Sequence, residues 1–499
     1  MTTALSDSPP ASDRRRWIAL AIVMTASFMD LVDVTIVNVA VPSIQRDLHA
    51  SFSAIQWVTG GYALAFAIGL ITGGRLGDIY GRKRIFLIGV TGFTLASVLC
   101  GLADGPTMLV ATRVLQGATA ALMVPQVLAI IHATFPAEER GKVFGMFGAV
   151  VGLGAVSGPL LGALLTEWNL AGLEWRPIFL INLPVGIAGL LLGRRFIDES
   201  KAPHSLRLDL VGVALGALGL LMLLYPLTQG RESHWPLWGF VSMVLSVPVL
   251  VGFVYWERVK TRRDGSPLVE LSLFRVRSFA AGLGVQLVFG VVLGIFFLVW
   301  TLYMQLGLGW SPLRAGLTGI PFSIAVSLAA GLSVQQLVPR FGRKVLQAGA
   351  LVMALGMVIY VWEDSRYGAG IHSWQMALPL AVMGLGMGLI VAPLTDAVLA
   401  EVPKSEAGSA SGLLNTTQQL GNALGLGLVS VVFFPVVDSA RPGSPIALVF
   451  GHAFRHTLSW LMAGLAVALL LMFALPRKAA PAPESAEPAP AGLVTEPVG

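Results

Sequence analysis

The sequence predicts an all-helical, polytopic membrane protein. Of its 499 residues, 55% are hydrophobic and only 12% are charged, with a mean hydropathy of +0.77. Soluble domains carry about 25% charged residues. Half that share, together with repeated apolar runs about as long as a bilayer is thick, leaves membrane helices as the only economical reading. The net charge of +6 does not indicate nucleic acid, because the bases are scattered among short connections rather than gathered on one helix or arm. The single cysteine, Cys100, permits neither an internal disulfide nor a cysteine-based metal site.

In chain order, residues 1–16 read as a polar cytoplasmic tail ending in Arg14, Arg15 and Arg16. The apolar run that follows is too long for a signal peptide and contains Asp30 and Asp33, so it reads as an uncleaved first helix. Six spans are expected at roughly 17–41, 54–74, 84–103, 107–132, 142–166 and 177–193, forming a bundle over 17–193. Two more, near 208–228 and 236–256, fall in a linker over 194–265. A second bundle over 266–475 has spans near 278–305, 314–338, 344–362, 374–400, 409–434 and 451–475. The tail 476–499, rich in Pro, Ala and Glu, reads as disordered and cytoplasmic. With fourteen spans and both termini inside, most of the 33 Lys and Arg lie on the cytoplasmic side, as the positive-inside rule requires.

The stretch GRLGDIYGRKR, Gly74 to Arg84, organises this plan. It reads as a tight, glycine-broken cytoplasmic loop with one acid, Asp78, and the bases Arg82, Lys83 and Arg84. It lacks the G-x-x-x-x-G-K-[ST] pattern of a phosphate cradle. A degraded echo, VPRFGRK, occurs at 338–344, where Pro339 replaces the acid. The echo and the six-plus-two-plus-six pattern imply two related halves that enclose a site near the midplane.

These motifs resemble the major facilitator superfamily. GRLGDIYGRKR is similar to its signature between helices 2 and 3, and RVLQGATAA from Arg113 to its helix 4 signature. GLGAVSGPLLG, Gly152 to Gly162, resembles the exporter signature of helix 5. DVTIVNVAVPSI, from Asp33, resembles helix 1 of the fourteen-helix drug:proton antiporters of the EmrB/QacA type. The resemblance implies the major facilitator fold, two six-helix bundles plus two inserted central helices. It also implies a proton-coupled antiporter of the plasma membrane that exports lipophilic drugs by alternating access. The alternative is a dedicated exporter or flippase of an endogenous metabolite or lipid. Small-molecule substrate, protons and lipids are the expected partners, with no nucleic acid and no cofactor. A monomer is expected to suffice, and a periplasmic adaptor is left open. No Walker loop, H-E-x-x-H set or nucleophile–base set marks an ATPase or an enzyme.

An ionisable group within a span costs about 2.5–3.5 kcal/mol or more and so faces a partner or a cavity. Asp33 and Arg113 are expected at comparable depth, as a proton-coupling pair or as a plain brace between helices. Asp30, three residues earlier, shares the face of Asp33; either acid could carry the proton, and the resemblance favours Asp33. Gly154, Gly158 and Gly162 make a smooth helix face beside Pro159. For Gly74, Asp78, Gly81, Arg82, Lys83 and Arg84 the expectation is a gate, with Asp78 meeting the cytoplasmic end of the second bundle and the bases holding it. Asn38, Gln116, Gln286, Gln305, Asn415, Gln418, Gln419 and Asn422 are candidates for the substrate cavity, with Gln286, Gln305 and those of the span near 409–434 equally candidates for cross-bracing. Beyond the first span, the only acids expected inside the membrane are Asp396 and Glu401. Aromatics such as Trp57, Tyr62, Trp300 and Tyr303 read mostly as interface anchors.

Overall fold

The computed structural model describes residues 13–168, 172–201, 208–229, 235–264, 267–403, 406–441 and 443–476. The expected tails at 1–12 and 477–499 lie outside the described residues. In the hydrocarbon layer a backbone must satisfy its own polar groups, and helices do so within one segment. The first group is α1 (Asp13–Asp47), α2 (Phe52–Tyr80), α3 (Arg82–Gly101), α4 (Pro106–Thr134), α5 (Ala137–Trp168) and α6 (Pro177–Phe196). Next come α7 (Leu210–Gln229) and α8 (Leu237–Asp264). The last six are α9 (Arg277–Leu302), α10 (Leu313–Phe341), α11 (Lys344–Tyr367), α12 (Ser373–Leu399), α13 (Ala407–Val432) and α14 (Ile446–Met472). Among the described residues, 13 segments are long and apolar enough to cross a membrane. The other expected span is α5, one helix of 32 residues, about 48 Å long at the usual rise.

Two boundaries differ from expectation. Arg14, Arg15 and Arg16 are not a free tail, because α1 already begins at Asp13. Ion pairs hold them there: Arg15 to Asp198 at 2.7 Å and Arg16 to Glu139 at 2.8 Å. The GRLGDIY segment is also not a loop. Helix α2 continues to Tyr80, and only Gly81, at φ +105°, breaks it. Hydropathy ends the span early because Arg75 and Asp78 are charged, yet both are buried and partnered.

The halves repeat in their packing. In the first, α1 packs on α5, α2 and α3 on α4, and α6 on α1 and α3. Adding eight to each number gives the second half: α9 on α13, α10 and α11 on α12, and α14 on α9 and α11. The halves meet through α2 against α13 and α5 against α10, again related by eight. Helices α7 and α8 pair with each other, and α7 lies beside α2 and α13.

Small residues set these crossings, since lipid gives helices little hydrophobic reason to associate. A Cβ on Gly388 of α12 would come 2.4 Å from the Val326 carbonyl of α10. Gly388→Val should therefore lower stability by about 1–3 kcal/mol, the usual cost of overpacking. Gly105→Ala, at the N-cap of α4 with nothing within 4 Å of the added carbon, should cost about 0.5 kcal/mol at most, the loss of a tolerated N-cap residue. Thermal unfolding in detergent, followed by intrinsic fluorescence, compares the two.

Candidate functional site

The first bundle encloses a buried polar network on five helices. Asp33 of α1 pairs with Arg113 of α4 at 2.6 Å, and both are 1% exposed. The Gln116 side-chain amide donates to Asp33 Oδ1 at 2.8 Å, and its Oε1 accepts from Arg113 at 2.7 Å. Asn182 of α6 donates to Asp33 Oδ1 at 2.9 Å and to Ser97 of α3 at 2.9 Å. Arg113 Nε donates to the Val58 carbonyl of α2 at 3.0 Å, and the guanidinium lies 4.3 Å from the centre of the Tyr62 ring. The Tyr62 hydroxyl in turn donates to Asp30. Every partner of Asp33 is a donor, the arrangement that an ionised carboxylate needs when water is excluded.

Asp30, Asp33 and Arg113 are thus one cluster, with Tyr62 joining the two acids through the guanidinium. Tyr62 is 2% exposed and is no interface anchor. Gln116, expected in a cavity, is fully buried and belongs to this network. Asn182 was not expected. It follows a one-turn helix, Pro177–Leu180, and begins the longer part of α6 at a break in the helix.

A second site joins the halves at the basic end of the bundle, the end that carries Arg14–Arg16 and Asp78. Asp78 accepts the backbone N–H of Gly408 at 3.0 Å and of Ser409 at 2.8 Å, in the first turn of α13. The first turn of a helix leaves such donors unpaired and carries positive potential, so a carboxylate fits there. Arg82 pairs with Asp78 at 2.9 Å within its own half. Gly74 permits the approach, because a Cβ would fall 2.2 Å from the Gly408 carbonyl. Beside it Arg75, 1% exposed, reaches Glu406 at 3.3 Å. Burial pushes the Glu406 carboxyl above the usual range, and Arg75 opposes that shift.

Arg82, Lys83 and Arg84, the bases expected to help hold the gate, bond within the first half, Arg82 to Asp78 itself. The backbone N–H groups of Lys83 and Arg84 are capped by Glu199 at 3.1 and 3.2 Å, and Lys83 Nζ donates to the Arg194 carbonyl at 2.8 Å. They fasten α3 to the exit of α6. Among the described residues, Arg75 makes an ion pair across to Glu406 of the second half, and no sequence signal had distinguished it from its neighbours.

On α5 the glycine face meets α1 beside the acids. A Cβ on Gly154 would lie 2.8 Å from Leu31 Cβ, and one on Gly158 would lie 1.8 Å from Thr35 Oγ1. Gly162 is buried, and its carbonyl accepts from Thr166 at 2.6 Å. The side chains of Asn38 and Pro159 lie outside those described. Gln286, Gln305, Asn415, Gln418, Gln419 and Asn422 are half-buried. The Asn415 amide bonds to Ser411 at 2.9 Å and that of Asn422 to Gln419 at 3.2 Å, within α13 rather than across helices.

The second bundle has its own charge pair, in place of the expected scarcity of acids. Asp364 of α11, fully buried, accepts from Tyr303 and from Arg455 of α14. Tyr303 lies in a π turn, Tyr303–Gly307, that extends α9. Helix α11 runs past the apolar stretch that marks its span, so its acid escaped notice. Glu401, expected inside a span, lies beyond the end of α12 and is exposed.

A family model described as Major Facilitator Superfamily matches residues 23–426. A "Probable actinorhodin transporter" of Streptomyces coelicolor is 47% identical over 435 residues, 87% of this chain and 75% of that protein. A "Puromycin resistance protein pur8" of Streptomyces alboniger is 36% identical over 474 residues, 93% of this chain and 91% of that one. Among solved structures, the human organic anion transporter MFSD10 superposes with a TM-score of 0.66 at 15% identity, covering 93% of this chain and 100% of that one; the likeness is one of fold. With the repeated six-helix packing and the buried charges, these matches establish that the chain belongs to the Major Facilitator Superfamily, as a multi-pass transporter of the plasma membrane and not an enzyme.

Proposed function

We propose that the protein exports antibiotic-like, lipophilic small molecules in exchange for protons, with both termini in the cytoplasm. The observation that carries the coupling is the Asp33–Arg113 pair, shut away from water with Gln116 and Asn182. An arginine keeps its charge in a span, whereas a carboxylate can be neutralised. Proton entry onto Asp33 would leave Arg113 without its counter-ion and favour a rearrangement of α1, α4 and α6. Loss of the proton would restore the pair. The names of the relatives, a probable actinorhodin transporter and a puromycin resistance protein, support antibiotic-like cargo.

Asp78 on the α13 amides serves as the latch of the cytoplasmic side. Helix α2 carries both ends of the device: Val58 and Tyr62 touch Arg113, and Arg75 and Asp78 engage the second half. A change at the pair is thus connected to the latch through the same helix. A second reading, a dedicated exporter of one metabolite, is favoured by the 47% identity to the probable actinorhodin transporter. A compound panel tested on proteoliposomes separates the two readings, since many substrates support the first and a single one the second.

Asp33→Asn removes the titratable charge and leaves Arg113 buried and unpaired, at a cost of about 3–5 kcal/mol. The expected result is a lower melting temperature and loss of uptake driven by an imposed pH gradient in inverted vesicles. Undiminished pH-driven uptake would refute the coupling role. Gly158→Leu drives its side chain into Thr35 and should abolish export while the protein still inserts. Export at the wild-type rate, with equal amounts in the membrane, would show that the α1–α5 contact is indifferent to transport.

A further inference from the structure

Helices α7 and α8 end, at the basic end, in buried polar contacts that the transport cycle above leaves unused. Asp209, 3% exposed at the start of α7, accepts the Gly212 N–H at 3.1 Å and the Trp256 indole N–H of α8 at 2.7 Å. Glu257 of α8 has no exposed surface, and its Oε2 accepts the Val269 N–H at 3.0 Å. The two carboxyl groups converge on Gly212, where a Cβ would lie 2.5 Å from Glu257 Oε1 and 2.9 Å from Asp209 Oδ2. Among the described residues, Glu257 Oε1 has no hydrogen-bond partner. A carboxyl kept in such a place at the cost of desolvation is holding something in position.

What it holds is the segment between α8 and α9. Leu268 and Val269, 2% and 3% exposed, pack with Leu64 and Ile71 of α2, Leu220 of α7 and Phe253 of α8. The Leu268 carbonyl accepts the Ser409 hydroxyl at 3.2 Å. The Ser409 backbone N–H is one of the two donors that Asp78 engages, at 2.8 Å. Hydrogen bonds therefore lead from Glu257 through Leu268 and Val269 to Ser409, and from Ser409 to Asp78.

We propose that Glu257 is a positioning residue for the latch. By fixing the backbone at Leu268 and Val269 it sets where Ser409 stands, and so where the first turn of α13 meets Asp78. The inserted helix pair is then a third member of the closed cytoplasmic side, joined to both halves. This inference rests on the reading of Asp78 as the latch.

The test is hydrogen–deuterium exchange of the full-length protein in nanodiscs, read on peptides covering 267–273 and 406–412. Loss of the hydrogen bond to Val269 in Glu257→Ala should speed exchange in both peptides by about tenfold. Peptides from α1 to α4 around Asp33 should exchange as in wild type. Glu257→Gln keeps a carbonyl acceptor for Val269 and can donate to Asp209, so it should retain wild-type protection. Ser409→Ala, which cuts the path at its other end, should expose 406–412 alone, and it decides the matter if Glu257→Ala does not accumulate. Unchanged exchange at 406–412, equal loss in the Gln and Ala variants, or acceleration spread through α1–α4 each overturns the proposal. Asp78→Asn is run alongside. If it leaves 406–412 protected, the latch reading itself fails; if it exposes that peptide and Glu257→Ala does not, only the role of Glu257 falls.

Discussion

The contact on which the closed arrangement depends is a carboxylate against a helix start. Asp78 takes two backbone donors that α13 cannot satisfy within itself, and the helix dipole adds attraction in a region from which water is largely excluded. No side chain in the second half needs to be charged for this to work. The geometry instead demands the absence of side chains: Gly74 and Gly408 face one another so closely that a Cβ on either would strike the other's carbonyl, at 2.2 and 2.4 Å. Gly412 does the same against the Leu70 carbonyl at 2.7 Å. The glycines of this motif therefore serve proximity as much as chain reversal, and only Gly81 is needed for its backbone angle.

The two interfaces between the halves are related by the internal repeat but differ in chemistry. Where α2 meets α13, charges are bound to helix-end amides and to each other. Where α5 meets α10, the contact is made by small residues: Gly141 against Val334, Gly145 and Gly148 against Ala330, and Gly152 against Ser323. Pro339 stands where the second copy would need its acid, and a proline there offers neither a charge nor an N–H. One seam is held by specific polar bonds that are either made or broken. The other is made mainly of small residues, crossed by the Ser327 hydroxyl of α10, which donates to the Ala149 carbonyl of α5 at 3.2 Å.

Much of this was legible in the sequence because a membrane punishes ambiguity. Apolar runs gave the spans, and the expense of charge within them singled out Asp33, Asp30 and Arg113 before any contact was known. The residues that escaped are of two kinds. Asn182 and Ser97, and Tyr62, which read as an interface anchor, are polar or amphipathic side chains of ordinary types, and only the fold brings them into the network around Asp33 and Arg113. Arg75, Glu257 and Asp364 lie where the apolar runs stop at charge. Hydropathy ends a span where charge begins, whereas a helix continues as long as its charges find partners. The error over GRLGDIY has the same cause: a charged, glycine-rich segment looks like a loop until Arg75 and Asp78 are seen to be buried and paired.

Helix α2 draws these observations together. Its middle touches the guanidinium of Arg113 through the Val58 carbonyl and the Tyr62 ring, and its Tyr62 hydroxyl binds Asp30. Its basic end carries Arg75 and Asp78. The distance between Tyr62 and Asp78 along the axis is about 24 Å at the usual rise per residue. No proline interrupts the helix between them, and the adjacent Gly73 and Gly74 are where it could bend. Helix α4 runs beside it with the same division of labour: Arg113 stands in the network, Gln126 donates to the Gly73 carbonyl at 2.8 Å, and the Pro125 carbonyl accepts from Ser411 of α13 at 2.8 Å. Proline at that position frees a carbonyl one turn earlier and loosens α4 where it touches the second half. Two helices, α2 and α4, thus run from the buried ion pair to α13, while α1, which carries Asp33, packs on α5 and through it reaches α10.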